Sequence, residues 1–332
     1  MKILIYDIEL FSSGVRYPLK EACEDLEHSA DMFDWTYYFN GPNNPTLTNR
    51  IKDRLLKKFY IDKLNADLQR IIKLGNYDLF LVMQGKNIYP ETIKIAVDNI
   101  KYVVNWNSDD PMNMLNSTQW LIDALPLYHA HFTPRIHLKQ EYENYGVKQL
   151  FELDWYYRYG INPVQSHNEN YEYEGNFIGS WSQRRAEFVN AVDSDKIDVF
   201  GWGWQNKHKG SRVHNSVNII KMIDIFSKTK INLNLLTIEN RDVTNLRNFE
   251  VAAAHGFKLA EKSDRLLKIF EEDKDIVFFS TVEEMKDKFN YYLTHDKERI
   301  PIAEKSYETI VVKGKNTLVD RIEQILKTLD KL

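Results

Sequence analysis

Asn234-Leu-Leu-Thr-Ile-Glu-Asn-Arg-Asp-Val-Thr-Asn-Leu-Arg-Asn-Phe-Glu-Val-Ala-Ala-Ala-His-Gly256 decides how this chain is read. The stretch opens on the end of a strand and passes through a polar loop. It then enters a helix expected to start near Asn245 and stop at Gly256. Leu246, Phe249 and Ala253 recur at helical spacing and give that helix a face to lay on a sheet. Arg247 and Glu250 stand three apart and share a face. An arginine in a first turn opposes the positive end of the helix dipole. Local rules of this kind tend to break where function demands it. A helix N-terminus with a guanidinium and a carboxylate, emerging from a strand–helix unit, suits a diphosphate and a ribose. The plain alternative is a surface ion pair worth ~0.2–0.5 kcal/mol.

Outward from this unit, β-branched and aromatic runs alternate with helical-period segments in both directions. Towards the N-terminus the runs Ile3–Tyr6, Phe33–Phe39, Asp78–Met83, Lys101–Trp106, Leu127–Phe132 and Gln149–Leu153 read as strands. One long helix between them carries Ile51, Leu55, Phe59, Leu64, Leu68 and Ile71 on a single stripe and stops at Gly75. Residues 155–175, rich in Tyr, Asn and Gly and holding Pro163, lose the rhythm and read as a linker. Strands then resume at Asn176–Gly179, Lys196–Gly201, Lys230–Leu236, Phe257–Glu261 and Asp275–Phe279, and three helical segments close the chain. Repeated strand–helix units mean parallel sheets with right-handed crossovers, covered by helices. The expectation is an α/β protein of two Rossmann-like domains facing across a cleft, since ligands collect at the carboxyl ends of such strands. The expected limits are residues 1–160, residues 161–315, and a closing helix in 316–332 that packs back on the first domain.

Composition narrows the function. At 332 residues and 43% apolar content the chain can fill two cores. A net charge of −4 supplies no global field to attract nucleic acid or an anionic membrane, although a local groove can still be basic. The single cysteine, Cys23, excludes an internal disulfide and a cysteine-built zinc site. Nine histidines form no paired-ligand motif, so no metal site is expected. The N-terminal apolar run is too short for a secretion signal. No stretch reaches the ~20 apolar residues of a membrane span. A cytoplasmic enzyme or binding protein is expected.

Several segments, in order, resemble a known family. They are Val104-Asn-Trp-Asn-Ser-Asp-Asp-Pro111, Phe177-Ile-Gly-Ser180 with Arg185-Ala-Glu187, Phe200-Gly-Trp-Gly-Trp204, Lys230-Ile-Asn-Leu-Asn234, Asn245-Leu-Arg-Asn-Phe-Glu250 and Ala254-His-Gly256. Tyr291-Tyr-Leu-Thr-His and Glu298-Arg-Ile-Pro-Ile-Ala extend the match toward the C-terminus. Together they resemble the CgeB-like glycosyltransferases of the spore-protein type, with the GT-B fold. The resemblance implies transfer of a sugar from a nucleotide donor, a UDP-sugar by default, held mainly by the C-terminal domain. The N-terminal domain would hold the acceptor: a glycan, a protein, a small molecule or, less in keeping with the charge, nucleic acid. In related GT-B enzymes two acids eight positions apart flank the donor. Glu250 matches the one on the ribose, and Asp242 falls where the one near the sugar lies, as Asp instead of Glu.

The chemistry then needs phosphate-binding groups and an acid near the acceptor. Without a metal, arginines and backbone N–H groups must stabilise the leaving diphosphate. Arg185 and Arg247, each in a first helical turn, are the candidates, with Asn245, Ser180 and the Ser13-Gly14 backbone beside them. Arg184 adjoins Arg185, so one of the two is expected to face water. Asp109 and Asp110, after a strand, offer a carboxylate to the acceptor hydroxyl. An Asp-Pro turn explains the same residues without chemistry. Trp202 offers a base-stacking surface, with core packing as the alternative for it and Trp204. The acid-free segment 205–214 reads as an anion grip, an active-site loop or a solvated loop. A binding protein that keeps the fold without catalysis is the remaining class.

Overall fold

The computed structural model describes residues 1–7, 17–40, 46–157, 164 and 170–332. Two all-parallel six-stranded sheets form its frame. The first contains β1 (Lys2–Asp7), β2 (Ser29–Asp34), β3 (Leu79–Met83), β4 (Tyr102–Trp106), β5 (Ala130–Thr133) and β6 (Leu150–Glu152), in the order β2-β1-β3-β4-β5-β6. Runs such as Leu79-Phe-Leu-Val-Met83 are apolar on both faces because helices cover both. The helices are α1 (Pro18–Asp25), α2 (Leu47–Leu55), α3 (Lys57–Leu74), α4 (Pro90–Asn99), α5 (Gln119–Ala124) and α6 (Lys139–Asn144). Leu4, Tyr6, Phe80 and Val82 pack on Leu64, Leu68 and Ile72 of α3.

The second sheet contains β7 (Tyr173–Ile178), β8 (Ile197–Phe200), β9 (Val213–His214), β10 (Thr229–Asn234), β11 (Lys258–Glu261) and β12 (Val277–Phe279). Its order is β12-β11-β10-β7-β8-β9, the doubly wound pattern, so the direction of strand addition reverses between β7 and β10. Helices α7 (Gln183–Val189), α8 (Ile219–Ser227), α9 (Arg247–Ala253), α10 (Leu266–Ile269), α11 (Val282–Thr294) and α12 (Asp296–Tyr307) flank it. The last helix, α13 (Leu318–Leu329), starts with a capping box of Thr317 and Asp320. Its Leu318, Ile322, Ile325 and Leu329 join Ile3, Ile5 and Leu19 in the core of the first sheet.

Four local readings change. The second strand stops at Asp34, whose carboxylate accepts from the Thr36 N–H and starts a tight turn over Trp35–Tyr38. The long helix of the first domain breaks at Leu56, and Ile51, Leu55 and Phe59 are 50%, 78% and 61% exposed, so the expected stripe is buried only from Leu64 onward. The helix of the quoted stretch is shorter than expected and ends at Ala253, with His255 at φ 51° just beyond it. The segment 205–214 ends in β9, a short edge strand on β8.

Candidate active site

The carboxyl ends of β7 and β10 meet at the switch point of the second sheet, and a cavity of about 330 Å³ opens there. Gly179 and Ser180 come from the turn after β7, and Asn234, Leu235 and Thr237 from the end of β10 and beyond. Arg135 and Trp155 line it from the side of the first sheet, so the cavity lies between the two units. Gly201 allows the turn after β7 to sit close: its φ is +153°, and a Cβ there would come within 2.1 Å of the Gly179 carbonyl oxygen. Trp204, fully buried, donates its indole N–H to that same oxygen at 2.8 Å. Gly201 and Trp204 thereby fix the cavity wall from behind.

Two guanidiniums enter this cavity with unspent donors. Ser182 caps α7 by accepting from the Arg185 N–H at 3.3 Å, which sets Arg185 in the first turn. Arg185 Nη1 donates to the Ser180 carbonyl at 3.1 Å and Nη2 to Thr237 Oγ1 at 2.7 Å, while its buried Nε–H has no hydrogen-bond partner. Both acceptors are neutral, and among the described residues Arg185 makes no ion pair. Burial pulls its pKa down, opposed by the more distant charges of Asp242 and Glu239. Arg247 Nη1 donates to Glu250, which is fully buried, and its Nε–H is likewise buried without a partner. Side-chain amides hold the first turn of α9: Asn234 Nδ2 donates to Asn245 Oδ1 at 3.1 Å and to Asn248 Oδ1 at 2.9 Å.

A second network ties the two units together beside the cavity. Arg135, 2% exposed, donates from Nε to the Asn240 carbonyl at 3.0 Å and from its other nitrogens to the Ser108 carbonyl and to Asp242. Burial pushes the Asp242 carboxyl up, outweighing the pull of Arg135. Asn240 donates to Asp109 Oδ1 at 3.2 Å and accepts from the Asp110 N–H at 2.9 Å. Arg241 grips Asp110 with two bonds, at 2.7 and 2.9 Å, and Glu141 with a third at 2.5 Å. Those carboxylates hold the Arg241 pKa well above its ordinary value, the hydrogen bond to Asp110 first. Among the described residues Asp109 accepts only from side-chain amides, Gln84 Nε2 at 2.6 Å being the other.

This geometry has known counterparts. Residues 184–327 match the family described as glycosyl transferase-like. That C-terminal segment is glycosyl transferase-like. Over essentially its whole length the chain superposes on solved enzymes of the GT-B fold. Sucrose-phosphate synthase from Thermosynechococcus elongatus shares 10% identity at a TM-score of 0.67, covering 100% of this chain and 99% of that one. Trehalose 6-phosphate synthase from Burkholderia multivorans gives 11% and 0.65, covering 99% and 96%. An alpha-glucosyltransferase in complex with UDP-glucose and DNA gives 13% and 0.62, covering 99% of each chain. At such identities the likeness is one of fold. No curated protein matches by sequence.

Ser180, Arg185, Asp242, Asn245 and Arg247 all line one cavity. Trp202, Glu250, Asp109 and Asp110 stand outside that lining. Trp202 is 78% exposed and outside the lining, because the turn that buries Trp204 throws its neighbour out. Glu250 has no exposed area and lies behind Arg247, so a direct ribose contact does not match its placement. Asp110 is 2% exposed and neutralised by Arg241, which removes it as a free base. Gly14, with Ser13, lies outside the described residues. Arg184 does not simply face water: it pairs with Glu261 and its guanidinium lies over Phe188 at 4.9 Å. The basic segment spends Arg212 and His214 on Asp198 at 3.1 and 2.7 Å. Sequence reasoning missed Arg135, Trp155, Thr237 and Asn240. Arg135 follows a strand at its carboxyl end, the position that pointed to Asp109, but Pro134-Arg135 read only as the start of a helix.

Proposed function

We propose that this chain is a glycosyltransferase of the CgeB-like kind that moves a sugar from a nucleotide-diphosphate donor, UDP-linked by default, with no metal required. The observation that carries the proposal is Arg185, a largely buried cation with only neutral acceptors, sharing a switch-point cavity with Arg247. A buried guanidinium without a counter-charge is costly. A diphosphate supplies that charge and takes the two unspent Nε–H donors. As the leaving group departs, the same donors meet its growing charge. Glu250 enters as the anchor that aims Arg247, and Asp109 as the carboxylate on the acceptor side that takes the acceptor hydroxyl by hydrogen bond. The acceptor panel includes DNA, since one solved structure of this fold is in complex with UDP-glucose and DNA.

A thermal-shift screen of nucleotide sugars, run with and without a chelator, identifies the donor. The Arg185→Gln variant should then bind that donor about tenfold to a hundredfold more weakly, the worth of hydrogen bonds to a charged group. Unchanged affinity in a folded Arg185→Gln protein overturns the assignment, and loss of donor binding on chelation overturns metal independence.

A further inference from the structure

The apolar stripe that the first domain does not bury carries a second reading. Helix α2 has no buried residue at all. Leu47, Ile51 and Leu55 recur every four positions along it and are 75%, 50% and 78% exposed, and Leu56 and Phe59 continue the row at 45% and 61%. At the helical angle Leu47, Ile51 and Leu55 form one face, and Leu56 lies at the break before α3. Arg50 and Arg54 flank that face on one side and Lys52 on the other, all exposed. Lys57 and Lys58 extend the basic border, so this segment holds five cations and one acid in a chain of net charge −4. The single acid, Asp53, points the opposite way, into the protein, where it accepts from the Asn40 backbone at 2.9 Å and side chain at 2.8 Å. The helix is thus tethered by its polar face and turned with its apolar face outward. Tyr37, 58% exposed, stands with Phe59 at the mouth of an adjoining cavity, and an aromatic of this kind suits the headgroup level.

We propose that α2 and the first turn of α3 form a docking surface for an anionic lipid bilayer. An outward apolar row between basic borders is the pattern of a helix lying in the plane of a membrane interface. The apolar side chains enter the acyl boundary, and the arginines and lysines meet lipid phosphates, each contributing about 1 kcal/mol near the surface. No helix of the described residues is long and apolar enough to cross a membrane, so this contact is peripheral. A second copy of the chain is the poorer occupant. A two-fold pairing through this face would bring the basic borders together. The surface is separate from the donor cavity, so its test is independent of sugar transfer.

Co-sedimentation of the full chain with vesicles decides it. Binding is expected to equimolar phosphatidylcholine–phosphatidylglycerol vesicles at low salt and to fall at high salt. Removing two charges with Arg50→Gln and Arg54→Gln should lower the partition coefficient about 25-fold, at about fivefold per charge. Leu55→Ser should weaken binding with the basic border intact. All three positions are exposed, so the variants should keep the wild-type melting temperature, and equal melting checks this. Failure to sediment with the anionic vesicles overturns the proposal. So does equal binding to pure phosphatidylcholine. A concentration-dependent dimer in sedimentation velocity that Leu55→Ser dissolves also overturns it, by assigning the face to a second copy.

Discussion

Asp109 and Asp110 are adjacent, chemically identical and read alike in the sequence, yet their surroundings give them different tasks. Asp110 is closed between two bonds from Arg241 and serves as a structural anion. Among the described residues Asp109 meets two side-chain amides and no cation, so its carboxylate is not spent on an ion pair. The Asp109→Asn variant should lose about tenfold to a hundredfold in kcat/KM for transfer, the worth of a hydrogen bond to a charged group. Its donor affinity and melting temperature should match wild type. A fall in donor affinity of the same size would place Asp109 on the wrong substrate. Trp202 makes the opposite case. Exposed and outside the cavity, it should tolerate Trp202→Ala with donor affinity changed by no more than about twofold, the usual range for a surface change. A tenfold loss in calorimetry would restore the base-stacking role.

At the scale of elements, strands were the readable part, because a parallel sheet covered on both faces writes itself as short unbroken apolar runs. Leu79–Met83 and Tyr102–Trp106 fall within the expected strands for that reason. The two-residue β9 was not readable, since a run of that length carries no period and its pairing depends on Asp198 across the edge. Helical period announces an apolar face and not what covers it, which is why Ile51, Leu55 and Phe59 read as core beside Leu64 and Leu68. In the site, the residues local to one strand–helix unit were legible, but Arg135 reaches Asp242 from 107 positions away, a pairing no local pattern records. Strand β5 carries a buried histidine with a measurable consequence. His131 is 1% exposed, contacts the Leu125 carbonyl through Nε2 at 2.8 Å, and burial lowers its pKa from 6.5 to about 4. A proton therefore binds the unfolded chain more readily. The contribution is complete above pH 6.5 and lost as pH falls toward about 4, some 3 kcal/mol by the size of that shift. Urea melts across this window should show the slope in wild type, and a folded His131→Leu variant should flatten it; an unchanged slope in that variant would assign the loss to other groups.

For the whole molecule the consequential feature is that the loop lining the switch-point cavity also fastens the two sheets together. Thr237, Asn240 and Asp242 face the cavity, while Arg241, between them in sequence, holds Asp110 and Glu141 of the other unit. Arg241 adopts φ 48°, a left-handed backbone uncommon for a side-chain-bearing residue, which orients it away from its neighbours. The same short loop thus touches both the cavity and the contact between the two units. Arg241 and Glu141 are 38% and 42% exposed, so that arm of the fastening is open to salt, while the Asp110 arm is buried. Arg241→Ala should loosen the pair of units without unfolding either, since each sheet keeps its own core. Small-angle scattering should then show a larger radius of gyration and a broader distance distribution than wild type. High salt should move wild type in the same direction. Saturating donor should recover part of the compaction in the variant, because Arg185 and Arg247 still gather the cavity walls. A variant whose scattering superposes on wild type at low salt would show that the units are held by Arg135 and the buried contacts alone, and that Arg241 plays no part in closure.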